Sequence, residues 1–406
     1  MEYKSLLKIF HSDKENYQSI YESRFNSKYA VHLDFMIHGN QAFFLQEPSL
    51  FSKIIKIYKT DKTVRALCEI LPGKAISQFA KRCLIDEIIL TNNIEGVYSS
   101  RKEITTLLNE LETKSRGKRF IGLVQKYLML QNENEISFEN CNDIRALYND
   151  LVYYEVQEDN PNNLPDGKIF RKDSASVMSS TQKEIHQGVN PESKIIECMD
   201  KAIKILNNQE MELVFRVSIF HYLFGYIHPF YDGNGRTSRF ISSYFLSKEF
   251  EPIIGYRISH TINENIKKYY EAFKTCNNPY NRGDLTPFLI MFIDIIDISM
   301  GQLVVALEKR LDYLKHYLSI VELLPHGLDH KYFELYSLLI QASLFSEDGI
   351  STQELMDALS CSRTTISKRL IPLSEENLII KKASGNIRYY SLNLSVVDSM
   401  ILNSKE

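Results

Sequence analysis

The twelve residues from His228 to Arg239 concentrate side chains that could perform chemistry on a phosphoryl group. Gly233-Asn234-Gly235 stands directly before a predicted helix that starts near Arg236. Such a loop presents backbone N–H groups, and a helix start adds a partial positive charge, so together they favour an anion. Arg236 and Arg239 are three positions apart in the first helical turn, so both can point at the same phosphate. The segment therefore predicts a phosphate-binding site.

Asp232 and His228 add a metal ligand and a base to this predicted site. A carboxylate one position before the loop could share a magnesium ion with bound phosphates. Histidine has an ordinary pKa of about 6.5, so it can accept a proton near neutral pH. A single histidine before a proline is more often a loop or core residue, and no third metal ligand stands nearby. The whole set nevertheless indicates phosphoryl or nucleotidyl transfer.

The elements that must position this segment are predicted to be helices, which makes the fold mainly α. Apolar side chains recur on one helical face after Leu71-Pro72-Gly73, and that helix should end near Asn92-Asn93. Helical periodicity also covers 191–206 and 212–225. The polar stretch Lys168 to Gly188 suits a short β-hairpin better than a helix.

Composition sets the broad class of the protein. The chain has 406 residues, of which 44% are apolar and 24% charged, and its net charge is −3. These values are typical of an ordinary soluble protein and exclude a collagen, a disordered tail or a disulfide scaffold. The six cysteines form no CxxC pair, which favours free thiols in a reducing compartment and argues against structural zinc.

No membrane or export segment is expected. The N-terminus lacks the apolar run of a signal peptide, so we expect a cytoplasmic protein. The apolar run from Phe288 to Leu307 contains Asp294 and Asp297, and each would cost about 2.5–3.5 kcal/mol at a bilayer centre. We interpret this run as a buried helix.

The segment from His228 to Arg239 resembles the signature of the Fic family, HPFx[D/E]GNGRxxR, at every specified position. The flanking helices, Tyr269-Tyr270 and the stretch 284–288 are also similar to that family, so the resemblance covers about Ala75 to Leu307. It implies a Fic helical core with a short β-hairpin flap. It also implies transfer of AMP from ATP to a Ser, Thr or Tyr hydroxyl of a target protein, with self-modification and a homodimer as further expectations.

The resemblance implies a role for each residue of the signature. His228 would deprotonate the acceptor hydroxyl, and Asp232 would hold Mg²⁺. Gly233, Asn234 and Gly235 would line the phosphates of ATP. Arg236 would clamp the α- and β-phosphates, and Arg239 would reach the γ-phosphate.

Two further features bear on the reaction. Members of the related Doc branch, which use ATP as a phosphate donor, carry lysine at the position of Gly235, so glycine favours AMP transfer. The hairpin Lys168 to Gly188 matches the family's flap, which holds the target segment as an added strand.

The stretch Thr91 to Gly96 fits the inhibitory pattern [S/T]xxxE[G/N] of many Fic proteins. The plainer interpretation is a helix end with a solvated glutamate. By resemblance, Glu95 would pair with Arg239 and repel the γ-phosphate of ATP, which makes the chain autoinhibited. In some relatives the same glutamate supports removal of AMP, and this alternative stays open.

The C-terminal part resembles a winged helix-turn-helix domain. From Lys331 onward the pattern indicates helix, short helix, turn, helix and two strands with a tip at 383–386. The stretch from Cys361 to Tyr390 contains six basic and two acidic residues. This excess of positive charge suits contacts with DNA phosphates. The recognition helix would carry four polar or basic side chains near its start: Arg363, Thr364, Thr365 and Lys368. Protein docking or dimerisation is the alternative role for this domain.

Two functional hypotheses follow, together with a division of the chain. The first is a protein adenylyltransferase, and the second is a DNA-binding regulator that uses the Fic core as a nucleotide sensor. His228 favours the first, since a sensor needs no base. We predict an N-terminal helical segment over 1–70, a Fic domain over 71–307 with its inhibitory motif at 91–96, a helical linker over 308–330 and a winged helix domain over 331–406.

Overall fold

The computed structural model describes residues 3–110, 118–131, 135–178, 184–384 and 387–403. Two compact units make up the chain: residues 1–61 with 84–301, and residues 62–83 with 302–406. The predicted domain 71–307 differs from this division, because 71–83 belongs to the second unit and the first unit ends at 301 rather than 307.

The described residues are mostly helical, as predicted. Three helices contribute residues to both units: α3 (Pro48–Ile70), α4 (Gly73–Ile94) and α14 (Thr286–Ser319). The other helices of the first unit are α1 (Leu6–Ser12), α2 (Tyr17–Phe25), α5 (Arg101–Glu110), α6 (Ile121–Leu128), α7 (Cys141–Leu151), α8 (Tyr153–Asp159), α9 (Glu192–Leu206), α10 (Leu213–Ile227), α11 (Asn234–Glu249), α12 (Ile258–Glu264) and α13 (Ile266–Cys276).

An N-terminal hairpin corrects the prediction of a helical segment over 1–70. Strands β1 (Ala30–Ile37) and β2 (Asn40–Leu45) pair antiparallel. His38 and Gly39 join them, both at positive φ (47° and 78°), as a two-residue hairpin turn of the primed type requires. The buried residues at the end of β1 are Leu33, Phe35 and Ile37, which stand at every second position. Apolar residues at this spacing in the sequence are a signal for a strand with one buried face.

The core of the first unit surrounds α10, in which almost every side chain is buried. The helices α9 and α11 pack against it. An apolar helix that is buried on all sides cannot shift without breaking many contacts, so it is a rigid support for the residues at its end.

A second hairpin lies where the flap is predicted. Strands β3 (Ser176–Met178) and β4 (Glu184–Gln187) pair antiparallel, with Val177 opposite His186. Residues 179–183, at the tip of the predicted hairpin, lie outside the described residues.

The C-terminal part of the second unit has the predicted helices and strands in the predicted order and adds one strand, Ile350–Ser351, and one final helix, Leu394–Asn403. Its elements are α15 (His330–Phe345), β5 (Ile350–Ser351), α16 (Thr352–Leu359), α17 (Arg363–Glu375), β6 (Ile379–Ser384), β7 (Ile387–Leu392) and α18 (Leu394–Asn403). The sheet order is β5-β7-β6. Ser351 and Glu354 form a capping box on α16, and Ser362 caps α17. Residues 385 and 386 of the predicted tip lie outside the described residues.

One helical stretch in the described ranges, Thr286–Leu323, is long and apolar enough to cross a membrane by length and composition alone. Half of its most apolar window is buried within the protein. Asp294 and Asp297 form ion pairs with Lys53 and Lys56 of α3. Core helices of soluble proteins pass the same test, and the burial agrees with the prediction of a buried helix.

Candidate active site

The predicted phosphate-binding segment joins two buried helices. His228 ends α10 in a left-handed conformation (φ 52°, ψ 62°), and its N–H donates to the carbonyl of Phe224 at 2.9 Å. Gly233 precedes α11 at φ 78°, which glycine adopts at little cost. The helix therefore starts at Asn234, two residues before the predicted start.

The side chain of Asn234 closes this loop. Its Oδ1 accepts from the N–H of Phe230 at 3.0 Å, and its Nδ2 donates to the carbonyl of Phe230 at 2.8 Å. The amide is thus engaged with the loop itself, although Asn234 also lines the cavity beside it. The first N–H groups of α11 have no acceptor within the helix, so a bound anion would satisfy them.

A cavity of about 330 Å³ gathers most of the predicted site residues. His228, Asn234, Gly235, Arg239 and Glu95 all line it. Flap residues and aromatic side chains complete the wall: Ser176, His186, Tyr269, Tyr270 and Phe273. The structure thus brings the proposed base, the loop and one arginine of the signature to one place.

The other predicted residues, Asp232, Gly233 and Arg236, belong to the same loop and helix start but are not part of the cavity wall. The side chain of Arg236 is 1% exposed, and its Nη2 donates to Oδ1 of Asp232 at 3.2 Å. Its Nε and Nη1 are buried and have no hydrogen-bond partner in the described part of the chain. Buried N–H groups of a cation are costly to leave unpaired, so an anionic ligand is the natural partner.

Arg239 is hydrogen-bonded to the end of α4 and to the residue that follows it. Its Nε donates to Oγ1 of Thr91 at 2.8 Å, and its Nη2 donates both to the carbonyl of Thr91 at 2.9 Å and to Oε1 of Glu95 at 3.0 Å. The guanidinium is buried, whereas the side chain of Glu95 is 23% exposed. The predicted pairing of Glu95 with Arg239 is therefore present. Thr91 accepts the other two of these three hydrogen bonds from Arg239.

The Glu95 carboxylate lies directly over the loop that is predicted to bind phosphate. A methyl group added at Gly235 would overlap Oε1 of Glu95 and would lie 2.8 Å from Nη1 of Arg239. The Glu95 carboxylate thus occupies the space next to the N-terminus of α11.

The His228 imidazole is half-buried at the cavity wall, and its pKa falls to about 3. Burial is the main cause, because an apolar environment disfavours the charged form. The positive charge of Arg171 and the imidazole of His186 lower the pKa further, whereas Asp232 raises it. The imidazole is therefore neutral at physiological pH and can accept a proton.

Two side chains near this site were not predicted from the sequence. His186, on β4, lines the cavity, and its Nε2 contacts the carbonyl of Tyr226 at 2.7 Å. Because a carbonyl only accepts, this nitrogen carries the proton. Arg171 is fully buried beneath the flap. Neither stands in a local motif, and only the fold places them next to His228.

Comparisons with known proteins find a similarity over the part of the chain that contains this site. Residues 139–246 match the model of the Fic/DOC family. The chain is 31% identical over 123 residues to the Drosophila ananassae protein named protein adenylyltransferase Fic. That alignment covers 30% of this chain and 20% of the fly protein, so the chain spans about one fifth of that relative.

One solved structure shows a likeness in fold. The crystal structure of a Fic family protein from Desulfovibrio desulfuricans G20 is 20% identical and superposes with a TM-score of 0.51, covering 86% of this chain and 96% of that one. A Fic domain containing signaling protein from Bacteroides thetaiotaomicron is 16% identical, with a TM-score of 0.44, and covers 63% of this chain and 97% of that one. His228, Arg239 and the loop between them lie within the residues that match the Fic/DOC family model.

Proposed function

We propose that this protein is an adenylyltransferase that moves AMP from ATP to a hydroxyl side chain of a target protein, itself included. The observation that carries the proposal is the cavity that holds a neutral imidazole, the open N-terminus of α11 and Arg239 together. The name of the fly relative supports the same activity.

The reaction assigns one task to each group. The hydroxyl oxygen of the target attacks the α-phosphorus of ATP, the bond to pyrophosphate breaks, and the hydroxyl proton goes to the His228 imidazole. Among the described residues, Nε and Nη1 of Arg236 have no hydrogen-bond partner and could donate to the phosphates nearest the loop. Arg239 would reach the γ-phosphate once it leaves Glu95. Such a displacement depends on positioning and charge neutralisation, which buried arginines and helix N–H groups supply.

Asp232 fits the role of a Mg²⁺ ligand in part. Its Oδ1 accepts from the N–H of Gly233 and from Arg236, so Oδ2 is the oxygen left for a metal. No cluster of three metal-binding side chains occurs in the described ranges, so phosphate oxygens and water would complete the shell, as is usual for Mg²⁺. When bound, the ion would neutralise charge on the leaving pyrophosphate.

The test of this function is label transfer by the purified Glu95→Gly variant with Mg²⁺. We expect label on protein from α-labelled ATP and none from γ-labelled ATP, because Gly235 leaves room for the orientation that AMP transfer needs. Label from γ-labelled ATP alone would mean phosphate transfer. Absence of label from both would contradict a transferase.

The low pKa of His228 predicts a flat pH profile. kcat/KM reports the ionisation of the free enzyme. Because the pKa of His228 is about 3, the imidazole stays neutral from about pH 5 to pH 8. We therefore expect kcat/KM of the Glu95→Gly variant to stay constant as the pH is lowered from about 8 to about 5. A steady-state series over this range checks it, and an acidic limb near the ordinary histidine pKa would contradict it.

We also propose that the C-terminal part of the second unit is a winged helix domain that binds DNA. Arg363, Thr364, Ser367 and Lys368 are exposed along the first half of α17. In the β6–β7 register, Lys381 pairs with Tyr390 and Arg388 with Ala383, so both cations lie on the sheet face that buries Tyr390. Since α17 contacts β6, the basic residues of the helix and of the hairpin lie on neighbouring elements, which suits contacts with a phosphate backbone.

Charge reversal at Arg363 and Lys368 should weaken DNA binding at least tenfold and reduce the slope of log K against log salt by about 2. The measurement is fluorescence anisotropy with a mixed-sequence duplex of about 30 base pairs at several salt concentrations. The control carries Lys331→Glu and Lys315→Glu, which change the net charge equally at exposed positions of α15 and α14. Equal binding by the two double variants would favour the alternative of protein docking.

The expectations of a cytoplasmic location and a homodimer stay predictions.

A further inference from the structure

One fully buried arginine joins the flap to the end of α10. Arg171 donates from Nε to the carbonyl of His228 at 2.8 Å and from Nη1 to the carbonyl of Asp173 at 2.5 Å. Its Nη2 donates to the carbonyls of Val189 at 2.8 Å and Ile227 at 3.4 Å. All four acceptors are backbone oxygens, and the guanidinium is inaccessible to solvent.

These acceptors belong to two structures that the reaction must keep in register. Asp173 precedes β3 and Val189 follows β4, so they mark the two ends of the flap. Ile227 is the last residue of α10 and His228 caps it, and the carbonyls at a helix end accept no hydrogen bond from within the helix. A cation is also favoured at a helix C-terminus.

We propose that Arg171 is the positioning residue that sets the distance between the target-holding flap and the His228 base. The proposal rests on the adenylyltransferase function proposed above. A target strand added to the flap would present its hydroxyl at a place fixed by the flap's two ends. The imidazole stands at a place fixed by the backbone of His228. One rigid guanidinium fork contacts both, so a change in this side chain would move one relative to the other.

The packing around the guanidinium leaves no slack. A methyl group added at Gly188, just after β4, would overlap Nη2 of Arg171 and would lie 2.9 Å from Cβ of His228 and 3.1 Å from the carbonyl of Ile227. The N–H of Val189 also donates to the carbonyl of Ile227 at 3.0 Å. Gly188 therefore lets the flap approach α10 closely enough for Arg171 to reach both.

Arg171 also acts on the base electrostatically. The charged and titratable groups that shift the pKa of His228 are Arg171 from the segment before β3, His186 from β4 and Asp232 from the loop, and a backbone hydrogen bond with Gly225 also raises it. The first two lower the pKa, and Asp232 raises it. Removal of the Arg171 charge should therefore raise the pKa of His228, a change that a purely structural role would not predict.

The experiment compares Arg171→Met and Arg171→Lys in the Glu95→Gly background. We expect Arg171→Met to lower kcat for AMP transfer by about 10–100-fold, because a misplacement of about 1 Å has such an effect. Its dissociation constant for ATP should stay within about twofold, since the phosphate site is built by other residues. Arg171→Lys, which keeps the charge but loses the fork, should fall between parent and Met.

The matched control is Arg145→Lys. Arg145 donates from Nη1 to the carbonyl of Ile169 at 2.8 Å, so it holds the same segment without touching His228. Gly188→Ala should reproduce the kcat loss of Arg171→Met from the opposite side of the contact. An unchanged kcat in Arg171→Met, or the same loss in Arg145→Lys, would overturn the proposal.

A readout independent of activity separates this inference from the proposed function. The pKa of His228, followed by NMR titration of labelled histidine, should be higher in Arg171→Met than in the parent. If the Glu95→Gly variant transfers no AMP, the proposed function fails, and the titration still tests the contact between Arg171 and His228. An unchanged titration together with an unchanged kcat would leave Arg171 as a structural residue only.

Discussion

The Glu95→Gly variant is expected to transfer AMP at least tenfold faster than the unaltered chain. Glu95 pairs with Arg239 at 3.0 Å, and its carboxylate lies over Gly235, where the phosphates would bind. Two like charges 4 Å apart repel by roughly 4 kcal/mol at an effective dielectric near 20. Removal of the carboxylate therefore frees both the arginine and the space beside the helix N-terminus. Initial rates with α-labelled ATP, on the same acceptor, measure the effect.

Two substitutions separate charge from volume in this brake. Glu95→Gln keeps the side chain over Gly235 but removes its charge, so we expect a gain smaller than that of Glu95→Gly. Glu69→Gln, on the exposed side of α3, removes an equal charge away from the cavity and should leave the rate unchanged. Equal rates for the Glu95→Gly variant and the parent would remove Glu95 as a brake.

Thr91 adds a second hold on the same arginine. Because Thr91 accepts two hydrogen bonds from Arg239 and Glu95 accepts one, the arginine is not fully released by the loss of Glu95. ATP must then compete with Thr91 for Nε and Nη2. The gain in rate thus depends on how strongly the γ-phosphate draws Arg239 away from α4.

The parts of the site that the sequence predicts are those built from local patterns. The signature from His228 to Arg239 lies within one loop and one helical turn, so spacing alone places its groups together. The Glu95 to Arg239 contact joins residues 144 positions apart, and resemblance to a family, rather than spacing, predicted it. The amphipathic pattern of α4 ending before Gly96 was also sufficient to place Glu95 at a helix end.

The features that were missed depend on contacts between distant segments. In the sequence, Arg171 is one of several polar residues in a polar stretch. In the structure it is buried because the flap lies close to α10. The N-terminal hairpin was overlooked because its turn, His38-Gly39, is not one of the common Asn-Gly or Asp-Gly pairs. The division into two units joins 62–83 with 302–406, a pairing that no local pattern indicates.

Replacement of His228 by alanine in the Glu95→Gly background should lower kcat for AMP transfer by about 10²–10⁴-fold, the usual contribution of a general base. Affinity for ATP should stay nearly unchanged, because the nucleotide would contact the N-terminus of α11 and the two arginines rather than the imidazole. Single-turnover transfer measures the first quantity, and equilibrium titration with ATP measures the second. His316→Ala, at an exposed position of α14, is the control for loss of a histidine. A variant that keeps its kcat without His228 would show that another group takes the proton, whereas loss of ATP binding would show that the imidazole supports the nucleotide rather than the acceptor.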